Sequence, residues 1–138
     1  MSVGLLIITH GDIGQSIYDA AIHVIGSSPI RTKIISSHAS DDRDLLEKEV
    51  IETIIELDNG QGVLILTDMY GATPSNIACA STNQTAEIIA GLNLPMLIRV
   101  MNYPNLSLPE LMQKALSGGK EGIMHYQIKK AKHASSGN

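Results

Sequence analysis

The run Val3-Gly-Leu-Leu-Ile-Ile, closed by Thr9-His10-Gly11, is the stretch that most restricts what this chain can become. An apolar run with no polar interruption reads as a strand buried on both faces, which requires helices above and below a mostly parallel sheet. A helical pattern follows almost at once. His10 therefore sits where a central strand hands over to a helix, the sheet edge at which open α/β folds gather their ligands. A second stretch repeats the design: Gly62-Val-Leu-Ile-Leu-Thr-Asp68, then Met-Tyr-Gly71-Ala-Thr73-Pro74-Ser75-Asn76. Two buried strands ending in His10 and Asp68 are expected to bring these side chains together.

The remaining elements fall between and after these strands. Ile17, Ala21, Val24 and Ile25 recur at helical spacing, and Gly26 supplies a stop. Thr32–Ser36 is a short, more polar strand suited to a sheet edge. Ser40-Asp-Asp opens an acidic, capped helix whose inner face is Leu46, Val50, Ile54 and Leu57. Thr73-Pro74 combines a hydroxyl N-cap with proline at the first helical position. Ala86–Ala90 reads as a fourth strand, and Asn93 with Pro95 starts a short helix through Met101. Ser107-Leu-Pro-Glu110 is a capping box for a last helix expected to stop at Gly118-Gly119. Gly122–Ile128 alternates like a closing antiparallel strand.

The expected architecture is a doubly wound, three-layer α/β sandwich with strand order 2-1-3-4 plus that C-terminal strand. A single domain spans residues 1–128, with a flexible basic tail over 129–138. Of ten lysines and arginines, Lys129, Lys130 and Lys132 lie in the tail, leaving seven against fourteen acidic residues in the body. An acidic body without Phe or Trp lacks both the charge and the stacking platforms for nucleic acid. The lone Cys79 excludes an internal disulfide. The opening apolar run is too short for a signal peptide or a membrane span of roughly 18–20 residues. A cytoplasmic protein without membrane insertion, metal or cofactor is the expectation.

A histidine that acts as a nucleophile needs one ring nitrogen free and the other held, and a carboxylate on the second nitrogen fixes the tautomer. Asp68 suits that role. The turn before the third helix is expected to offer the backbone amides of Ser75 and Asn76 to a phosphate, with Thr73 beside them. Gly11 would let the backbone after His10 approach a bulky anion. No G-x-G-x-x-G follows the first strand, and no histidine or carboxylate spacing marks a metal site.

Three ordered stretches carry a family resemblance over roughly residues 2–128. They are Thr9-His10-Gly11, then Thr67-Asp68-Met-Tyr-Gly71-Ala-Thr73-Pro74-Ser75-Asn76, then Gly91-Leu-Asn93-Leu-Pro95-Met-Leu97. Together they resemble the mannose-type (mannose/fructose/sorbose) IIA components of the bacterial phosphoenolpyruvate-dependent sugar phosphotransferase system. The resemblance implies that His10 accepts phosphate from the phosphocarrier protein HPr and passes it to a histidine of a IIB component. It also implies that Asp68 orients His10, that Thr73 lies beside the phosphate, and that the protein is a strand-swapped homodimer. The chain departs from the family pattern at Ala72, where a second glycine is common, and at Tyr70, where another aromatic is frequent. It ends at Asn138 without a IIB domain, so a separate IIB chain is expected.

Two other functions compete. A regulatory IIA protein would use the same phosphorylated histidine for signalling without sugar transport. A receiver domain phosphorylated on Asp68 would need an acidic pair after the first strand to hold Mg²⁺, where Thr9-His10 stands instead. The dihydroxyacetone kinase phosphotransferase subunit shares the fold but usually lacks the Gly91–Leu97 motif.

Overall fold

Four apolar segments pair side by side in a computed structural model that describes residues 2–81 and 85–129. They are β1 (Gly4–His10), β2 (Thr32–Ser37), β3 (Val63–Thr67) and β4 (Ala86–Ala90), all parallel and in the order β2-β1-β3-β4. The expected strand order is the observed one. Leu5, Leu6, Ile7 and Ile8 have no accessible surface, so both faces of β1 are covered. Burying each such side chain contributes about 1.5–3 kcal/mol. This explains why the alternation typical of a half-buried strand is missing here.

Among the described residues five helices cover the sheet: α1 (Ile13–Ile25), α2 (Arg43–Leu57), α3 (Thr73–Ser81), α4 (Leu94–Met101) and α5 (Leu108–Glu121). The odd residues Leu5 and Ile7 of β1 join Ala21, Leu97, Val100, Leu111 and Ala115 in one core, so α1, α4 and α5 share a layer. Leu6 and Ile8 join Leu46, Val50, Ile54, Leu57, Ile77 and Ala78 in the other, beneath α2 and α3. The inner face read for α2 is the buried face observed. On α1 the reading needs one correction: Ala21 is buried and Ile17 and Ile25 pack at the core margin, whereas Val24 faces outward at 61% exposure.

The caps of α4 and α5 formed as expected, whereas α3 already includes Thr73, the residue expected to cap it. Asn93 accepts from the Met96 amide, and Ser107 and Glu110 close a reciprocal capping box. The end of α5 differs from expectation. Gly118 and Gly119 lie inside the helix, which continues to Glu121. A Cβ on Gly118 would stand 2.5 Å from Arg99 Cβ, and one on Gly119 2.8 Å from Met96 Cε. These glycines admit α4 against α5; they do not terminate the helix.

The expected C-terminal strand is not formed. Residues 123–129 carry no strand, and Ile123, Met124, Tyr126 and Ile128 are exposed. Alternating side chains supply faces but no backbone partners, and a strand exists only when a neighbouring strand takes up its N–H and C=O groups. Among the described residues β4 has β3 as its one neighbour, so its outer edge is unpaired. The expected basic tail, apart from Lys129, lies outside the described residues.

Candidate functional site

β1 and β3 are adjacent and in register, with Ile8 opposite Thr67, so the residues following each emerge together at the carboxyl edge of the sheet. There the His10 Nδ1 stands 2.8 Å from Asp68 Oδ2, and the His10 backbone N–H donates to the same oxygen at 3.2 Å. The second carboxylate oxygen, Oδ1, accepts from the Met69 amide at 3.1 Å and from the Thr67 hydroxyl at 3.4 Å. All four partners are donors, so the carboxylate is used as an acceptor on every side. The Asp68 side chain is 13% exposed and that of His10 45%.

Burial acts on the Asp68 carboxyl most strongly and in the upward direction. The hydrogen bonds from the His10 ring and amide, with the His10 charge, outweigh it and hold the group below the usual carboxylate range. An ionised Asp68 accepting at Nδ1 places the proton on that nitrogen. The other ring nitrogen, Nε2, is then left with its lone pair.

The turn after β1 has its own fastening. Asp12 occupies the N-cap position of α1 without a side-chain cap bond, and the buried Thr9 hydroxyl accepts from the Gly14 amide at 2.7 Å instead. A Cβ on Gly14 would meet Ile7 Cγ2 at 2.7 Å, so glycine is needed for α1 to lie this close to β1. Thr9 as a cap was missed at sequence level. Its signal is a hydroxyl one turn ahead of a helix whose nominal cap residue makes no bond.

A cavity of about 210 Å³ opens beside His10. His10, Thr73, Ser37, His38, Asp41 and Arg43 are among the residues lining it. Of the residues expected at the site, His10 and Thr73 are thus brought to one cavity, and Asp68 stands behind His10. Gly11 adopts φ +46°, a conformation that favours glycine, but its amide donates to the Ser37 carbonyl at 2.8 Å and is not free for an anion.

The α3 turn also differs from expectation. The Asn76 amide donates to the Ala72 carbonyl at 2.9 Å, so it belongs to the helix ladder, which begins one residue earlier than expected. Its side-chain amide donates to the Gly71 carbonyl at 3.3 Å. The Ser75 amide precedes that first ladder bond, in the turn where a helix has no partner for it, but the residue is buried at 1% exposure. Thr73 is the exposed hydroxyl at this helix start. Met69 and Tyr70, next to Asp68, are exposed apolar side chains. Among the described residues no group of three or more His, Cys, Asp or Glu is placed to hold a metal ion, and no helix is long and apolar enough to cross a membrane.

Comparison with known proteins gives one consistent family. The sequence profile described as PTS system fructose IIA component (EIIA-man) matches residues 4–116. The PTS system mannose-specific EIIAB component of Escherichia coli (strain K12) is 28% identical over 139 aligned positions, covering 98% of this chain and 43% of its own length. The chain thus spans less than half of that relative. The PTS system fructose-specific EIIA component of Bacillus subtilis (strain 168) is 23% identical, covering 96% of this chain and 94% of its own. Among solved structures, the mannose/sorbose specific IIA subunit of the phosphotransferase system from Enterococcus faecalis superposes with a TM-score of 0.83 at 23% identity. That match covers 94% of this chain and 98% of the other. On the profile match over most of its length, the chain belongs to the mannose-type IIA family of the sugar phosphotransferase system.

Proposed function

We propose that the protein is a phosphocarrier in sugar uptake, accepting phosphate on His10 from the phosphohistidine of HPr and passing it to a histidine of a IIB component. The observation that carries this reading is the His10–Asp68 pair, with Nδ1 held at 2.8 Å and Nε2 turned loose at a sheet edge. In the forward step Nε2 attacks the donor's phosphorus. The donor N–P bond breaks, its electron pair returns to the donor imidazole, and an Nε2–P bond forms. The Nδ1 proton stays in place, and the ionised Asp68 offsets the positive charge that develops on the ring. Transfer onward to the IIB histidine is the same exchange with His10 as leaving group. Thr73 is assigned a hydrogen bond to the phosphoryl group, supported by its exposed place in the cavity wall.

The test is labelling with phosphate from phosphorylated HPr. The wild-type protein is expected to take up acid-labile label, and His10→Ala none while keeping its fold by circular dichroism, because the side chain is half exposed. Label on the His10→Ala protein would overturn the assignment.

The exposed apolar side chains of residues 123–128 and the unpaired edge of β4 support the further reading that two copies exchange these segments as strands. Truncation after Gly122 is then expected to abolish the dimer in sedimentation. A truncated protein that remains dimeric would refute the exchange.

A further inference from the structure

We propose that Arg43 is a phosphoryl-binding residue of the His10 site, reaching across the cavity to the oxygens of the transferring group. The proposal deepens the phosphocarrier reading and rests on it. Arg43 is the first residue of α2, and its side chain lines the same cavity as His10 and Thr73. Among the described residues its one ion pair is to Glu47, made through Nε at 3.7 Å, which leaves the two terminal nitrogens uncommitted.

The charge balance calls for such a group. A phosphoryl group on Nε2 would lie in a protein whose body carries twice as many acidic as basic side chains. It would face Asp41 in the cavity wall and have Asp68 behind the ring. Asp41 Oδ2 accepts the His38 amide at 2.8 Å, and a carboxylate cannot offset the charge of a phosphoryl group. The start of α2 offers little help as an anion site, because Asp42 Oδ1 already accepts the Asp44 and Leu45 amides. Arg43 supplies the one guanidinium in the lining, and its planar fork matches the oxygens of a phosphoryl group. Transfer proceeds through a loose transition state with negative charge spread over three equatorial oxygens, so a cation placed there stabilises it without changing which bonds form or break.

The experiment compares wild type, Arg43→Gln, Arg43→Lys, Glu47→Gln and His10→Ala in rapid-quench labelling from phosphorylated HPr, with melting temperatures and the ³¹P shift of the phosphorylated product. Arg43→Gln is expected to slow labelling about ten- to a hundredfold, the scale of a lost hydrogen bond to a charged group. It should also move the ³¹P resonance while melting like wild type. Arg43→Lys should recover part of the rate. Glu47→Gln should label normally, which separates the cavity role from the salt bridge on the helix. Wild-type labelling by Arg43→Gln, with none by His10→Ala, would overturn the proposal and leave the phosphocarrier reading standing. An equal loss in Glu47→Gln would also overturn it. Label on His10→Ala, or none on wild type, would remove both.

Discussion

Replacing Asp68 by Asn is the sharpest perturbation of the pair, because both carboxylate oxygens accept and nothing near them does. The amide must turn its NH₂ either toward His10 or toward Met69 and Thr67. Turned toward Met69, it opposes that amide but keeps an oxygen on Nδ1. The tautomer then survives, and only the charge is lost. A charged acceptor is worth about 1–1.5 kcal/mol more than a neutral one, which is roughly tenfold in rate. Turned toward His10, the NH₂ forces Nδ1 to become the acceptor and moves the ring proton to Nε2, where it blocks attack. The corresponding tautomer error in a serine-protease triad costs about 10⁴-fold.

The variant should therefore accept phosphate between about 10 and 10⁴ times more slowly, with an unaltered fold by circular dichroism. Single-turnover labelling measures this directly. A rate within about threefold of wild type would show that the contact does not govern the histidine. The acid limb supplies a second check. A carboxyl held below its ordinary value stabilises the fold fully above the unfolded value of about 3.9, and that contribution is lost as pH falls from there through the folded value. The stability gap between wild type and Asp68→Asn should therefore shrink below about pH 4. A constant gap from pH 7 to 3 would contradict the assigned ionisation.

Three further outcomes follow from neighbouring features. Thr73→Ala removes one neutral hydroxyl contact and should slow labelling by roughly two- to tenfold, less than Asp68→Asn; a larger loss than that of Asp68→Asn would reverse the ranking. Thr9→Val keeps the shape but strips the buried Gly14 amide of its acceptor, so urea titration should report a loss of about 1–3 kcal/mol. Gly118→Ala gains helix propensity of about 1 kcal/mol, yet its new Cβ would stand 2.5 Å from Arg99 Cβ. Strain of about 1–3 kcal/mol should make the variant no more stable than wild type, and a clear gain in melting temperature would refute the packing role.

Much of this fold was readable because its strands are buried on two faces. Val3–Ile8 and Val63–Leu66 could serve in few other settings, and once they are central, His10 and Asp68 must share an edge. Leu46, Val50, Ile54 and Leu57 were legible because α2 has one buried side. Gly118-Gly119 misled because a glycine has the same appearance whether it ends a helix or makes room for one. The Asn76 amide was assigned to an anion because the start of α3 differs from expectation by one residue, and that residue decides which amides are spent. Arg43 could not be placed at all, since no local pattern links the first residue of α2 to a cavity formed with β1 and α3. The C-terminal alternation was a real pattern, but pattern alone does not provide a pairing edge.

His10 and Asp68 stand fifty-eight positions apart in the chain, and on the proposed phosphocarrier reading that distance has a consequence for the economy of phosphate in a cell. A chain still on the ribosome, or a proteolytic fragment ending before β3, contains the histidine but not the carboxylate that sets its tautomer. Its imidazole is free to carry the proton on either nitrogen, and it tumbles with an open turn. On the proposed reading such a molecule would be a poor sink for a high-energy phosphoryl group. With His10 as the proposed acceptor, only a finished sheet, with β3 docked against β1, would present it, so the fold itself would vet which copies enter the relay.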